Sequence, residues 1–228
     1  FGRSLAQELI AQGAYVAVTD VSLDACQKVV NDLGGNAQAF SLDVTKPEQF
    51  TDVIEHIVKS HGKLDILINN AGIAVSGEFK DIDVSIWRSI TDISFLGMVF
   101  GSKAAQKQMS VQGYGQIVNV ASMYGLVNSP MVSAYVATKH AVVGFTLALR
   151  EEARESGIKV NVVCPGYIAT DLFKNGVFKG LSQEDTMNLL PFPLMPVEKA
   201  TQQCLKGMAS NKAVITFPGY VKPYWWLA

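Results

Sequence analysis

Apolar positions along the chain keep two rhythms in turn, a helical period of three to four residues and short runs rich in β-branched side chains. Leu5, Ala6, Leu9 and Ile10 share one face of a helix over 3–12 that Gly13 stops, and a strand over 15–19 ends on Asp20. Ser22 is placed to cap a second helix carrying Cys26, Val29, Val30 and Leu33, closed by Gly34 and Gly35 before a strand at 37–42. Thr45-Lys-Pro-Glu48 reads as a capping box with proline in the first turn, and Phe50, Val53, Ile54, Ile57 and Val58 form the stripe of a third helix up to Gly62. A strand at 64–68, one long helix at about 85–109, a strand at 117–121, a helix at about 134–156 and a strand at 160–164 continue the series. A helix at 197–210 and a strand at 213–217 close it. Strands alternating with helices predict an α/β fold, a doubly wound parallel sheet in a single domain over 1–228.

The alternation fails between 166 and 196, a stretch longer than ordinary connections. Phe173, Phe178, Leu181, Leu189, Leu190, Phe192 and Leu194 make it too apolar for an idle surface loop, so 167–196 reads as a lid over an apolar substrate. Composition narrows the class further. With 49 % hydrophobic and 17 % charged residues, the 228-residue chain can build a core, and 19 basic against 20 acidic side chains leave no field for nucleic acid. Three cysteines without a CxxC pair and three scattered histidines predict no metal site and a reducing, cytoplasmic location. No apolar run approaches the roughly 20 residues of a membrane span, and no charged-then-apolar leader opens the chain.

Phe1-Gly2-Arg3 leads straight into a helix, where dinucleotide-binding α/β proteins place a strand and a glycine-rich turn. Gly2 reads as the last glycine of that turn, which predicts that the first strand and most of the turn are missing from this sequence. Asp20 stands at a strand end eighteen positions later, where a carboxylate binds a ribose diol and repels a 2′-phosphate. Val21 and Ser22 offer no compensating cation, so the expected cofactor is NAD in preference to NADP. The most specific pattern is Tyr135-Val-Ala-Thr-Lys139, with Ser122 at one strand end and Asn69-Asn-Ala-Gly72 at another. Positions four apart share a helix face, so the Lys139 ammonium is expected to stabilise a Tyr135 phenolate and lower its pKa from near 10. Ser122 would hold the oxygen of an alcohol or carbonyl.

With these motifs in this order the chain resembles the classical short-chain dehydrogenase/reductase family from Gly2 to about Phe217. The resemblance implies a Rossmann-type sheet, hydride transfer at a nicotinamide ring, and a tyrosine proton donor helped by lysine and serine. It also implies that Asp43 and Val44 reach the adenine, that Asn70, Ala71 and Gly72 line the adenosine side, and that Pro165, Gly166, Ile168 and Thr170 grip the nicotinamide carboxamide. Lys139 would in addition hold the nicotinamide ribose. One position departs: Ser94 stands where the family usually has an asparagine that positions a water in the proton relay, and a serine there still offers a backbone carbonyl and a hydroxyl, so activity is expected to survive with slower turnover.

The expected activity is an NAD-dependent interconversion of a secondary alcohol and a ketone. Val75, Met123, Tyr124, Met131 and Tyr167 form a mostly apolar candidate substrate set, which suggests a steroid, long-chain or aryl alcohol. A homodimer or homotetramer built on the helices containing Ser94 and Tyr135 is implied. Two other readings stand beside this one: the extended branch that epimerises or dehydrates nucleotide sugars, and a weakly catalytic nucleotide-binding regulator or scaffold, which only Ser94 favours. Asp20 as a turn residue and Asp43 as a loop residue bonding its own backbone stay open. His140 reads as a packing or interface residue, Cys164 as a small buried hydrophobe, and the Tyr224-Trp225-Trp226 tail as subunit packing first and membrane-surface contact second.

Overall fold

The computed structural model describes residues 1–172, 176–180, 182, 184–185 and 190–227; Phe173, Leu181 and Leu189 of the expected lid lie outside them. The chain runs α1 (Gly2–Ala11), β1 (Val16–Asp20), α2 (Leu23–Leu33), β2 (Ala37–Ser41), α3 (Pro47–His61), β3 (Ile66–Asn69), β4 (Val75–Ser76) and α4 (Val84–Thr91). It continues through α5 (Gly97–Gln112), β5 (Gly115–Val120), α6 (Ser133–Ala153), β6 (Ile158–Pro165), β7 (Val177–Phe178), α7 (Val197–Ala209), β8 (Val214–Phe217) and α8 (Val221–Leu227). The strands β3, β5, β6 and β8 lie side by side in that order, all parallel, while β1 and β2 form a separate parallel pair.

Strand alternation sorts the core onto two faces. From β5, Val118 and Val120 join Leu5 of α1 and Ala200, Cys204 and Met208 of α7 on one side. Ile117 turns the other way, to Ala105 and Met109 of α5 and Leu149 of α6, and on β6 Val160 and Val162 share that side. Helices on both faces of a parallel sheet are the doubly wound arrangement expected from the sequence.

Several local expectations are corrected. Thr45 opens no capping box: Lys46 is the N-cap of α3, and the Thr45 hydroxyl donates instead to Asp43 Oδ1 at 2.8 Å. The Thr45 N–H, which Glu48 would accept in a capping box, also goes to Asp43 Oδ1 at 2.9 Å, and the Asp43 N–H is taken by Gln49 Oε1 at 2.7 Å. Ser22 does cap α2, accepting from the Ala25 N–H. The single helix expected over 85–109 is α4 and α5 joined by a π turn at Asp92–Leu96. The segment after Gly166 is not simply irregular, because β7 pairs in parallel with β4 and Ile168 bridges to Met195. The aromatic tail folds as α8, with Val221 buried and Trp226 and Leu227 exposed.

Candidate active site

The C-terminal ends of β3, β5 and β6 deliver the candidate site. Asn69 ends β3 opposite Asn119 of β5. Its amide donates to Asn119 Oδ1 at 2.8 Å and Ser102 Oγ at 3.2 Å, and the Asn119 amide goes on to Thr146 Oγ1 at 3.0 Å. A satisfied buried network of this kind ties α5 and α6 to the strand ends that carry the site. Past β5, Ser122 is the N-cap of a 3-10 turn at Met123–Gly125, and its Oγ accepts the Tyr124 N–H at 3.2 Å.

Tyr135 and Lys139 lie on the first turns of α6, both buried, with the Lys139 Nζ 5.6 Å from the centre of the Tyr135 ring. Nζ donates to the Val120 carbonyl at 3.0 Å. Burial pushes the Tyr135 phenol up to about 12, against the downward pull of a hydrogen bond with the Ser122 hydroxyl. Burial likewise brings the Lys139 ammonium down to about 8. The expected depression of the tyrosine by the lysine is thus overturned in this state. The ammonium sits over the ring face, bonded to a backbone carbonyl, and desolvation of the phenolate dominates.

Ser94 lies fully buried in the π turn, where its Oγ accepts the Ile73 N–H at 3.1 Å. A Cβ on Gly72 would come within 3.3 Å of this Oγ and 3.6 Å of the Lys139 Nζ, so Ser94, Gly72 and Lys139 share one small space. π turns recur where a helix must re-aim one residue.

The candidate cofactor residues surround this centre. Gly2 begins α1 at the end of β3, and a Cβ there would lie 3.0 Å from Asn70 Nδ2. Asp20 ends β1 exposed, with Oδ1 accepting the Ser22 N–H at 3.0 Å. Asp43 Oδ1 folds back onto the N–H and hydroxyl of Thr45, which hold its carboxyl below the usual range. Val44 packs against Gly97 of α5, and Ala71 is exposed in the segment that follows β3. Pro165 pairs with Phe217, Gly166 donates to the Phe217 carbonyl at 2.7 Å, Ile168 is buried, and the Thr170 N–H returns to the Ile168 carbonyl.

The candidate substrate residues divide. Met123 and Tyr167 are core residues packed with Val221, and Val75 is buried beside Tyr135 and Ile90, so these three are walls rather than open lining. Tyr124 remains half-buried, edge-on to the Tyr135 ring at 6.3 Å. Met131 holds a left-handed φ of 67°, and its carbonyl accepts the Gly77 N–H at 2.7 Å. His140 is exposed and bonds the Val136 carbonyl, and Cys164 is a fully buried thiol pushed up to about 12 by that burial. Sequence reasoning missed Tyr220, whose Oη accepts the Tyr167 N–H at 3.0 Å. An aromatic just past the Pro218-Gly219 turn was the signal available.

The donor set fits a nicotinamide dinucleotide: the N–H groups opening α1 have no side-chain cap, Asp20 presents a carboxylate at a strand end, and Gly72 leaves room beside Lys139. Among the described residues no group of His, Cys, Asp and Glu could hold a metal ion, and no helix is long and apolar enough to cross a membrane.

Comparison with known proteins agrees with the geometry. The family model for short chain dehydrogenase matches residues 1–180. The chain is 37 % identical over 177 residues to a cyclohexanol dehydrogenase of Acinetobacter sp. strain SE19, covering 75 % of this chain and 70 % of that one. It is 32 % identical over 199 residues to a 3-alpha-(or 20-beta)-hydroxysteroid dehydrogenase of Mycobacterium tuberculosis, covering 84 % and 76 %. Among solved structures, ElxO with NADP bound superposes at a TM-score of 0.84 with 28 % identity, over 97 % of this chain and 94 % of its own. Since the match in sequence and the match in fold extend over the same elements, this chain belongs to the short-chain dehydrogenases, a family of nicotinamide-dinucleotide-binding oxidoreductases.

Proposed function

We propose that the chain is an NAD-dependent oxidoreductase that interconverts a secondary alcohol and a ketone on a largely apolar substrate. The observation that carries this reading is the buried Tyr135 with the Lys139 ammonium 5.6 Å from its ring centre and the Ser122 hydroxyl against its phenol. A nicotinamide, when bound, supplies the hydride chemistry. Gly2, Asn70, Ala71 and Gly72 would hold it with Asp20, Asp43, Val44, Pro165, Gly166, Ile168 and Thr170. A phenol near 12 stays protonated at neutral pH, so Tyr135 is poised to give its proton to a carbonyl oxygen that Ser122 orients. In the alcohol direction the same oxygen must take the proton back. Above about pH 8, where Lys139 is neutral, its amine is the neighbouring group that can take that proton on, and Ser94 beside it keeps Gly72 and Ile73 in place.

Asp20 argues for NAD, because its carboxylate would meet a 2′-phosphate and neither Val21 nor Ser22 supplies a cation. The relatives named for a cyclic alcohol and a steroid favour an apolar ring or chain in the substrate. Leu190, Phe192 and Leu194 packed toward Met123 and Tyr167 support a cover over 167–196. A cytoplasmic homodimer or homotetramer through α5 and α6 completes the proposal.

The test titrates NADH and NADPH by fluorescence and follows nicotinamide absorbance with cyclohexanol, a hydroxysteroid and their ketones. Tighter NADH binding and turnover that falls about a hundredfold or more in Tyr135→Phe are expected. Tighter NADPH binding overturns the Asp20 reading, and binding with no turnover on any alcohol or ketone favours a nucleotide-binding regulator.

A further inference from the structure

The two successive peptides on either side of Gly166 are each held from the C-terminal segment. The Gly166 N–H donates to the Phe217 carbonyl at the end of β8, and the Tyr167 N–H donates to Tyr220 Oη at 3.0 Å. The second bond exists only because residue 166 is glycine: a Cβ there would overlap the Tyr220 hydroxyl and ring. Tyr220 is itself fixed. Its ring stacks on Phe192 at 4.0 Å and 13°, Tyr224 closes edge-on against Phe192, and Val221 beside it is buried.

What Tyr220 holds leads back to the proposed chemistry. The Tyr167 hydroxyl lies 2.7 Å from that of Tyr124, the Tyr124 N–H bonds Ser122 Oγ, and the Ser122 hydroxyl is close enough to the Tyr135 phenol to pull its pKa down. Two hydroxyls in one bond use a single proton between them. Tyr167 is the buried member, which leaves the half-buried Tyr124 to present what remains. A line of hydrogen bonds therefore runs from the C-terminal turn as far as Ser122, which stands beside the Tyr135 phenol.

We infer that Tyr220 is a positioning residue: by holding the Gly166–Tyr167 peptide it sets the Tyr167–Tyr124 pair, and through that pair the placement of Ser122 against Tyr135. The inference rests on the proposed alcohol–ketone chemistry for its kinetic readout. Tyr220→Phe keeps the ring on Phe192 and removes only the acceptor, so folding is spared.

The experiment is a double-mutant cycle of Tyr220→Phe and Tyr124→Phe on kcat/KM for cyclohexanol, with thermal melts of each variant. Each single change is expected to lower kcat/KM about three- to tenfold, and the double variant to be no worse than the weaker single, because both break one line of contacts. Tyr220→Phe should still fold cooperatively and melt only a few degrees below wild type, because the buried Tyr167 N–H loses its acceptor. Effects that multiply, or no kinetic effect of Tyr220→Phe, overturn the inference. If the wild-type protein turns over no alcohol or ketone, the proposed function fails separately, and amide hydrogen exchange decides this inference. The Tyr167 amide should then exchange at least about tenfold faster in Tyr220→Phe. Equal exchange overturns it.

Discussion

At the scale of single residues, the site is governed by burial more than by charge pairing. Lys139 has an ordinary value of 10.5 and stands near 8 when folded, so below pH 8 both folded and unfolded chains carry its proton and the cost of burying the cation is constant. Between about 8 and 10.5 the unfolded chain holds more protons than the folded one, and stability rises with pH. Cys164 and Tyr135, both raised to about 12, oppose this only above their own ordinary values of 9 and 10. Thermal melts from pH 7 to 9 should therefore show a rising melting point in wild type that is absent in Lys139→Met. The variant should be the more stable protein at pH 7, because a buried cation is replaced by an apolar side chain. Tyr135 has a direct optical check. The ultraviolet difference between wild type and Tyr135→Phe, without cofactor, should show no tyrosinate below pH 11 and one extra titrating phenol near 12.

At the scale of elements, the helices and strands that could be read in advance are those whose signal is local. Leu5, Ala6, Leu9 and Ile10 declare α1 by spacing alone, and the i, i+4 relation brings Lys139 over the Tyr135 ring. Thr45 misled because its hydroxyl has a competing partner in Asp43 two residues back. The π turn was illegible because Asp92-Ile-Ser-Phe-Leu96 carries an ordinary helical pattern, and β4 and β7 because two-residue strands have no period. Tyr220 escaped because its partner Tyr167 is 53 positions away and packing, not sequence, joins them. The Asn69 network shows what such long-range contacts cost when disturbed. A Cβ on Gly101 would overlap Asn69 Oδ1 and approach the Phe50 ring to 2.8 Å. Gly101→Ala should therefore destabilise the protein by about 1–3 kcal/mol in denaturant unfolding.

At the scale of the whole molecule, the two ends of the sheet have separate duties. The candidate site sits at the C-terminal ends of the parallel strands, as ligands do in open α/β sheets. Near the opposite end, Arg150 donates to the Val160 carbonyl and to both the side-chain and backbone oxygens of Asn211, and Gln116 and Asn161 join the same network. Arg150→Met should cost about 2–4 kcal/mol of stability while leaving kcat/KM unchanged, which unfolding and steady-state rates on one preparation would check. The π turn bears on the molecule in another way. A π turn carries one residue more than the helix it interrupts, so α4 and α5 are the same rod read in two phases about 100° apart. The first phase sends Ile90 toward Tyr135, and the second lays Met98, Gly101, Ala105 and Met109 inward. Deleting one residue from Asp92–Leu96 would bring the rod back into a single phase. Only one of the two faces could then stay in register, so either the site wall or the support of the sheet would be lost.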